Sequence, residues 1–538
     1  MSELRSMIAP AAVLVLSACL LLYGLDRPKL WVDEAETALL GRSILVYGVP
    51  KARLGKDLIS QEGSREFGPD YLWRWTPWLD KYVAAGSFAL LGESTWSARL
   101  PFALLSLGAV ASMYALGMGL FGDRRVALLS MLFLGTSVPF LLHARQCRYY
   151  VLAILGTLWA LHFAVACVRR PGLRAPLGLV ASLTLVFHAN YLGFAALGVA
   201  LAATLWVLGI DRAGWLRLVL AGAVIAALNG PWLVYFNVAD KSMTFGGFHP
   251  DFLADYVALL ARYGFPVPAL AVFGALAAAT PQSRTAFREL LPEWRLIAFL
   301  ALLPVFYIPV ISFAPFRYFR YVANLLPVCA VMLAWLSVRA WSLHALGGRV
   351  LTALLLVTGL FGELAVLPTV YYKDYLPGRT NKVLDWAFPL GNFLAELAHP
   401  YEPSAGQITE YLAANARRGD RVYVSYGDLV ARFYLPELEI RGGLSGEPLD
   451  GWGPPEWVVV RPFFFQIVSP KVPGLGQSVL EWLKRLPWNE YQSYVLRAPD
   501  LAWESIPEPQ WHYYYAPPAS AAEPVKIARR RPELARPE

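Results

Sequence analysis

Charge is scarce in this sequence: Asp, Glu, Lys and Arg together make up 16% of 538 residues, against 57% apolar ones. A soluble multidomain protein of this length needs more charge on its surface, so lipid is the expected main solvent. Cysteine is sparser still, at four residues. Cys19, Cys147, Cys167 and Cys329 show no CxxC and no Cys/His spacing, which excludes a disulfide framework and a zinc site of that kind. From about residue 374 onward GxGxxG and Walker loops are missing, so that region carries no nucleotide-binding signature. The formal charge of +8 comes without an aromatic-studded basic groove, so no nucleic-acid partner is expected.

What is abundant is the long apolar run. Several approach or exceed the ~20 residues that a helix needs to cross a bilayer, and they are too continuous for barrel strands. Spans are expected at 8–24, 100–120, 126–143, 151–168, 176–188, 191–209, 216–238, 264–281, 296–313, 322–338 and 350–369. Leu16-Ser17-Ala18-Cys19 resembles a lipoprotein processing signal, but Leu20, Leu21 and Leu22 continue the run, so it reads as a retained signal anchor. Arg124/Arg125, Arg169/Arg170/Arg174, Arg212/Arg217, Arg284/Arg288/Arg295 and Arg339/Arg349 fall in alternate connections, as the positive-inside rule requires. With the N-terminus inside, residues 25–99, the turns near 143–150, 188–191, 239–263 and 314–321, and everything after about 370 face the periplasm or cell exterior. His188-Ala189-Asn190-Tyr191 is the polar tip of a hairpin.

Residues 25–99 form a long first outer loop. Its partly apolar stretches 37–46 and 83–91 are too short to span and read as interfacial helices, with Trp73, Trp75 and Trp78 at headgroup level. From residue 374 charge rises, and strand-like runs (421–425, 457–461, 494–497) alternate with helical ones (408–416, 479–486), as in a small α/β domain. The Pro-, Ala- and Arg-rich stretch 517–538 reads as a disordered tail. The fold class expected is an all-α polytopic membrane module (1–373, about 11 to 13 spans) with a C-terminal α/β domain (374–516) on the outer side.

Three constellations carry chemistry. Trp31-Val32-Asp33-Glu34-Ala35-Glu36 places acids just after the first span. Asp33 reads either as an N-cap with Glu36 completing a capping box, or as a general base that takes a proton from an attacking hydroxyl. His143-Ala144-Arg145-Gln146-Cys147-Arg148-Tyr149-Tyr150 sets two arginines three apart at an outer boundary, where they would share a face of a helical turn. They either clasp a phosphate or snorkel to headgroups. Pro315-Phe316-Arg317-Tyr318-Phe319-Arg320-Tyr321 repeats the pattern, with Tyr318 and Phe319 reading as an interfacial belt. Asp70, Arg74, His188, Asn190, His249 and Asp251 lie on the same face. A lone histidine at a hairpin is more often structural than a ligand.

With those residues in view, the sequence resembles the membrane glycosyltransferases of the C-type (GT-C) fold, in the bacterial branch related to protein mannosyltransferases and lipid A aminoarabinose transferases. The likeness rests on Asp33-Glu34, Gly41-Arg42-Ser43-Ile44-Leu45, Gly48-Val49-Pro50, Leu91-Gly92-Glu93-Ser94, Ala98-Arg99-Leu100-Pro101-Phe102, Leu120-Phe121-Gly122, Arg145-Gln146-Cys147-Arg148-Tyr149 and Arg320-Tyr321, in that order over residues 20–330. It implies a sugar donor on undecaprenyl or a similar polyprenyl phosphate and Asp33 as base. It also implies that Arg145, Arg148, Arg317 and Arg320, with Tyr149 and Tyr321, hold the donor phosphate, and that the anomeric centre is inverted. The acceptor is a protein, a lipid or a glycan. Glu34, Asp70, Arg74 and His188 are pocket candidates. Relatives in the aminoarabinose branch often carry a Glu-Lys-Pro-Pro motif, where this chain has Trp73-Arg74-Trp75-Thr76-Pro77-Trp78. Some C-type relatives use a divalent cation, Mg2+ or Mn2+, which Asp33, Glu34 and Asp70 would hold through oxygen ligands. The competing readings are a flippase or transporter for a lipid-linked sugar, an oligosaccharide ligase, and a structural envelope subunit.

Overall fold

A computed structural model of the chain describes residues 2–238, 247–343, 346–360, 363–365, 385–465, 474–500, 506–515 and 523–531. It divides into two compact units. The first comprises Met1–Tyr23, Phe102–Leu394 and Pro507–Gln510; the second comprises Gly24–Pro101, Ala395–Ile506 and Trp511–Glu538.

The first unit is helical. Among the described residues of the chain as a whole, six helices are long and apolar enough to cross a membrane: Thr95–Phe121, Tyr150–Arg169, Tyr191–Leu208, Arg212–Tyr235, Trp294–Ile311 and Ala323–Leu343. Two bent pairs bring the number up to eight, and Met7–Leu22, Arg174–Ala189 and Gly347–Leu360 are shorter apolar helices. Not every expected crossing therefore has spanning length. The expected span 126–143 breaks by 62° between Arg124–Thr136 and Val138–Ala144, where Ser137 is extended and Pro139 withholds an amide from the ladder. A second break of 66° separates Pro250–Tyr263 from Pro268–Ala279, at a Gly264-Phe265-Pro266 corner. The segment 250–263, expected as outer loop, is thus a helix. The hairpin tip at 188–191 is present: Asn190 is extended, and its side chain accepts from the Gly193 amide to start the next helix.

Burial sorts these helices. Leu326–Leu343 is almost wholly enclosed, whereas Arg212–Tyr235 is largely exposed, as expected of a lipid-facing element. Three of the charged connections meet at one end of the bundle. Arg339 donates from Nη1 to Asp123 (3.0 Å) and from Nη2 to Glu293 (2.7 Å), tying the residues before Arg124 to those before Arg295.

The second unit joins the first outer loop to the C-terminal sheet. Five strands run in the spatial order Glu439–Gly442, Arg421–Val424, Trp457–Val460, Pro524–Arg530, Tyr491–Pro499; the first three are parallel and the last two antiparallel. The strand at 524–530 corrects the expectation of a disordered tail over 517–538. Its Pro/Arg composition hid an alternation in which Val525 and Ile527 turn into the core while Lys526 points out. The boundary drawn at 373/374 and the tail residues 517–522 and 532–538 lie outside the described residues.

Within the first loop, the stretches 37–46 and 83–91 belong to the longer helices Val32–Tyr47 and Leu79–Leu91. They cross closely at Gly41, where a Cβ would stand 3.1 Å from that of Ala84. The Val32–Tyr47 helix is mostly buried, with exposed apolar side chains only at Leu45, Val46 and Tyr47. Trp73 is not at an interface: it is fully buried and its indole N–H donates to Thr76 Oγ1 (3.0 Å). The loop is bolted to the sheet through Arg432, itself buried, which reaches Glu447 (2.6 Å), Asp428 (3.1 Å) and, from the 57–58 strand, Asp57 (3.7 Å). Three carboxylates around one guanidinium leave excess negative charge, and burial pushes Asp428 up to about 6.

Candidate active site

In the loop–sheet unit the acidic segment starts the Val32–Tyr47 helix. Trp31, not Asp33, is its N-cap, and the Trp31 amide donates to Glu34 Oε2 (3.4 Å). The capping acid is therefore Glu34 rather than Glu36, and Asp33 lies inside the first turn, where a carboxylate meets the positive end of the helix dipole. Glu34 has no solvent exposure. Both of its oxygens are taken by Arg99, Nε to Oε1 at 2.8 Å and Nη2 to Oε2 at 2.6 Å, and Arg99 Nη1 also donates to the carbonyls of Pro28 (2.7 Å) and Leu25 (3.2 Å). This is a bidentate, desolvated pair.

Glu36 lies one turn beyond Asp33 and is 5% exposed; it accepts from Gln61 Nε2 (3.1 Å). Around it gather Glu62 and Glu66, from a tight turn in which Gly63 and Ser64 both have positive φ. Glu66 is buried and accepts from Ser60 Oγ and the Glu62 amide, each at 2.8 Å. Burial, reinforced by the negative charges of Glu66, Glu36 and Asp33, pushes the Glu62 carboxyl up to about 7. Burial lifts Glu66 to about 7 as well, against the donors at Gln61 and Ser60, which favour its charged form. Asp33, Glu36, Glu62 and Glu66 therefore form one acidic group, in which Glu62 and Glu66 hold protons near neutral pH. Glu62 and Glu66 were not singled out from the sequence, where the only signal was a density of acids in a chain poor in charge.

Asp70 and Arg74 form their own pair, with oxygens 2.7 and 2.8 Å from the guanidinium, and those bonds hold the Asp70 carboxyl down to about 2. The expected metal set Asp33, Glu34 and Asp70 is not assembled. Glu34 and Asp70 spend their oxygens on arginines, and among the described residues no group of three or more His, Cys, Asp or Glu has the arrangement of metal ligands.

The helical unit contains the arginines. Arg145 and Arg148 do not share a face of a helix, because the chain is non-helical between Ala144 and Tyr150. Arg145 Nη1 turns to the last carbonyls of the first helix, Leu20 (2.9 Å) and Leu21 (3.0 Å), where a cation meets the negative end of the dipole. Arg148 is buried, with its guanidinium 5.8 Å from the Tyr149 ring. Arg317 and Arg320 separate likewise: Arg317 pairs with Asp255 (2.8 Å), and Arg320 with the wholly buried Glu508 (2.6 Å), each a partner that no local pattern pointed to. The two segments nevertheless converge through their rings. Tyr150 packs on Tyr149 (4.7 Å) and edge-on to His143 (4.9 Å), and it lies under the Arg320 guanidinium (5.8 Å), while His143 also faces Phe319 (5.9 Å). Tyr321 contributes its carbonyl to Tyr307 (3.1 Å). His188 has an aromatic setting instead, edge-on to Phe187 and Trp232.

Beside this cluster opens a cavity of about 430 Å³, made by the two helix breaks and lined by apolar side chains such as Val138, Val257, Phe265, Leu326, Leu333 and Leu355. Tyr263, on its wall, packs edge-on to Phe319. A cavity with so few polar groups favours hydrocarbon over water.

No family model matches the sequence, and no curated relative does. Among solved structures the chain is similar to ArnT from Cupriavidus metallidurans bound to undecaprenyl phosphate, with a TM-score of 0.54 and 16% identity over 100% of each chain. The apo state of ArnT gives 0.54 and 17%, again over 100% of both. An oligosaccharyltransferase from Archaeoglobus fulgidus, tethered with an acceptor peptide, aligns at a TM-score of 0.45 and 10% identity over 91% of this chain and 72% of that one. The match to ArnT, complete in both chains, shows that this chain has the GT-C fold expected from its motifs.

Proposed function

We propose that the protein is a membrane glycosyltransferase that moves a sugar from a polyprenyl-phosphate carrier to an acceptor hydroxyl at the outer face of the inner membrane. The observation that carries this reading is the apolar cavity beside an arginine- and tyrosine-rich cluster, in a chain that shares its fold with a protein whose structure holds undecaprenyl phosphate. A prenyl chain needs a dry channel, and a phosphate needs fixed cations at its mouth. Arg148, Arg145 and Tyr149 are the residues assigned to the phosphate, with Arg320 and Arg317 adding field from positions set by Glu508 and Asp255.

Asp33 acts as general base. The acceptor oxygen gives its proton to the Asp33 carboxylate as it bonds to the anomeric carbon. The bond from that carbon to the phosphate oxygen breaks on the opposite face, and the electron pair stays on the phosphate, where the arginines stabilise it. Inversion follows from that geometry. Glu62, whose carboxyl is pushed up to about 7 by burial and by charges that include Asp33, is the proposed next acceptor of that proton. Glu34 takes no proton in this scheme, since both its oxygens serve Arg99.

The test is transfer from a panel of radiolabelled polyprenyl-phosphate sugars, in membranes containing the wild type or Asp33→Asn, with donor binding measured in parallel. Loss of transfer with donor binding kept is the expected result. Undiminished transfer by the variant refutes the base assignment, and donor movement across the bilayer without transfer replaces the enzyme by a flippase.

A further inference from the structure

The turn that leads into the Asp33 helix, residues 25–31, is gripped from two sides. On one side its carbonyls receive Arg99: Leu25 and Pro28, and Lys29 more loosely at 3.4 Å. On the other side its amides are satisfied from the far end of the sequence. The Lys29 N–H donates to Glu402 Oε1 (3.1 Å), and the Leu30 N–H donates to the hydroxyl oxygen of Tyr434 (2.9 Å), 404 positions downstream. The same hydroxyl is 2.6 Å from Thr95 Oγ1. Thr95 stands four residues before Arg99 on one helix, so the two lie on the same face. Tyr434 thus bridges the segment that leads into the Asp33 helix and the helix that carries Arg99, the partner of Glu34. The helix that ends at Tyr434 presses on the Asp33 helix as well: Arg42 Nη2 donates to the Phe433 carbonyl (3.0 Å), and the Arg42 guanidinium lies 4.8 Å from the Phe433 ring.

We propose that Tyr434, seconded by Glu402, is a positioning residue for Asp33, so that the C-terminal sheet domain is a working part of the transferase rather than an appendage. Between Leu30 and Asp33 there is no slack to absorb an error. Trp31 is the extended cap and Val32 is already helical, so a shift of the Leu30 amide is passed to the Asp33 carboxylate. A general base has to meet its proton within hydrogen-bond reach, and displacements on the order of 1 Å lower rates by up to about a hundredfold. The inference rests on the reading of Asp33 as base.

The experiment uses the full-length protein in membranes, comparing wild type, Tyr434→Phe, Thr95→Val, the double variant, Glu402→Ala and Asp33→Asn. It measures kcat, KM for the polyprenyl-phosphate sugar, and the thermal unfolding midpoint. Tyr434→Phe removes one oxygen, and its kcat is expected to fall about tenfold with donor KM within about twofold of wild type and the midpoint little changed. The double variant should be no slower than Tyr434→Phe alone, because both deletions cut the same bridge. Glu402→Ala should show the same loss in kcat without loss in KM. A wild-type kcat for Tyr434→Phe beside an inactive Asp33→Asn overturns the inference alone, as does a loss of rate that merely follows a loss of folded protein. Full activity in Asp33→Asn overturns the base assignment, and this inference with it.

Discussion

Breaking the Glu34–Arg99 pair gives a perturbation whose size follows from the structure. The two side chains are 0% and 7% exposed, so solvent does not screen them. In Arg99→Met the carboxylate of Glu34 stays buried without its two charged donors, and the carbonyls of Leu25 and Pro28 lose theirs. Removing one partner of a buried ion pair costs about 3–5 kcal/mol, whereas replacing both by apolar or neutral groups of similar volume is often close to neutral. The single variant is therefore expected to open the 25–34 segment about 200- to 5000-fold more often, which is the same energy written as an equilibrium constant at about 1.4 kcal/mol per decade. Backbone hydrogen exchange of residues 29–34, followed by mass spectrometry on the detergent-solubilised protein, reads that opening directly. Arg99→Met combined with Glu34→Gln should recover most of the protection, since the buried charge has gone. Equal protection in wild type and Arg99→Met would refute the idea that this pair holds the segment. A double variant as unprotected as the single would show that the lost carbonyl contacts, not the orphaned charge, dominate.

Three further outcomes follow from the same geometry. Glu66 is protonated more readily folded than unfolded, its carboxyl standing at about 7 against an ordinary 4.5; its contribution to stability is thus fully present below pH 4.5 and is lost as pH rises through 7. That amounts to about 3 kcal/mol for the buried Glu66 and less for Glu62, so the unfolding midpoint of the wild type should fall between pH 5.5 and 8 by more than that of Glu66→Gln; parallel curves would refute the assignment. Leu333→Trp fills part of the apolar cavity and is expected to weaken binding of a long-chain polyprenyl-phosphate sugar by about tenfold or more while leaving a short-chain donor unaffected; equal effects on both would exclude the cavity as the tail site. Truncation before Pro524 removes the strand between Trp457–Val460 and Tyr491–Pro499, exposing two sheet edges, and should give a protein that aggregates on solubilisation; a stable truncated protein would contradict its place inside the sheet.

Much of the helical unit was legible from residue order because a spanning helix announces itself by length and apolarity alone, without reference to any partner. The hairpin at Asn190 is equally local, set by a side chain that accepts from the amide three residues on. The strands at Arg421–Val424 and Trp457–Val460 were visible as runs of β-branched and aromatic residues. The strand at Pro524–Arg530 was missed because composition was weighed over alternation. Asp33-Glu34 stood out as acids at a membrane boundary, but which of the two is committed to structure was undecidable there. An arginine reaches any of several carboxylates, and only the folded chain chose Arg99, 65 positions away, for Glu34.

The same holds for the phosphate candidates. Four arginines in two similar spacings looked interchangeable in the sequence; the tertiary structure gave Asp255 to Arg317, Glu508 to Arg320 and helix-end carbonyls to Arg145. The grouping of Glu62 and Glu66 with Asp33 and Glu36 showed in the sequence only as a density of acids, and the grip of Tyr434 on Leu30 left no local trace. By itself the sequence determined the solvent, the periodicities and the residue types that chemistry requires. The tertiary structure decided which charges neutralise one another, because Coulomb energy and desolvation depend on distance and burial in space, and neighbours in the chain determine neither.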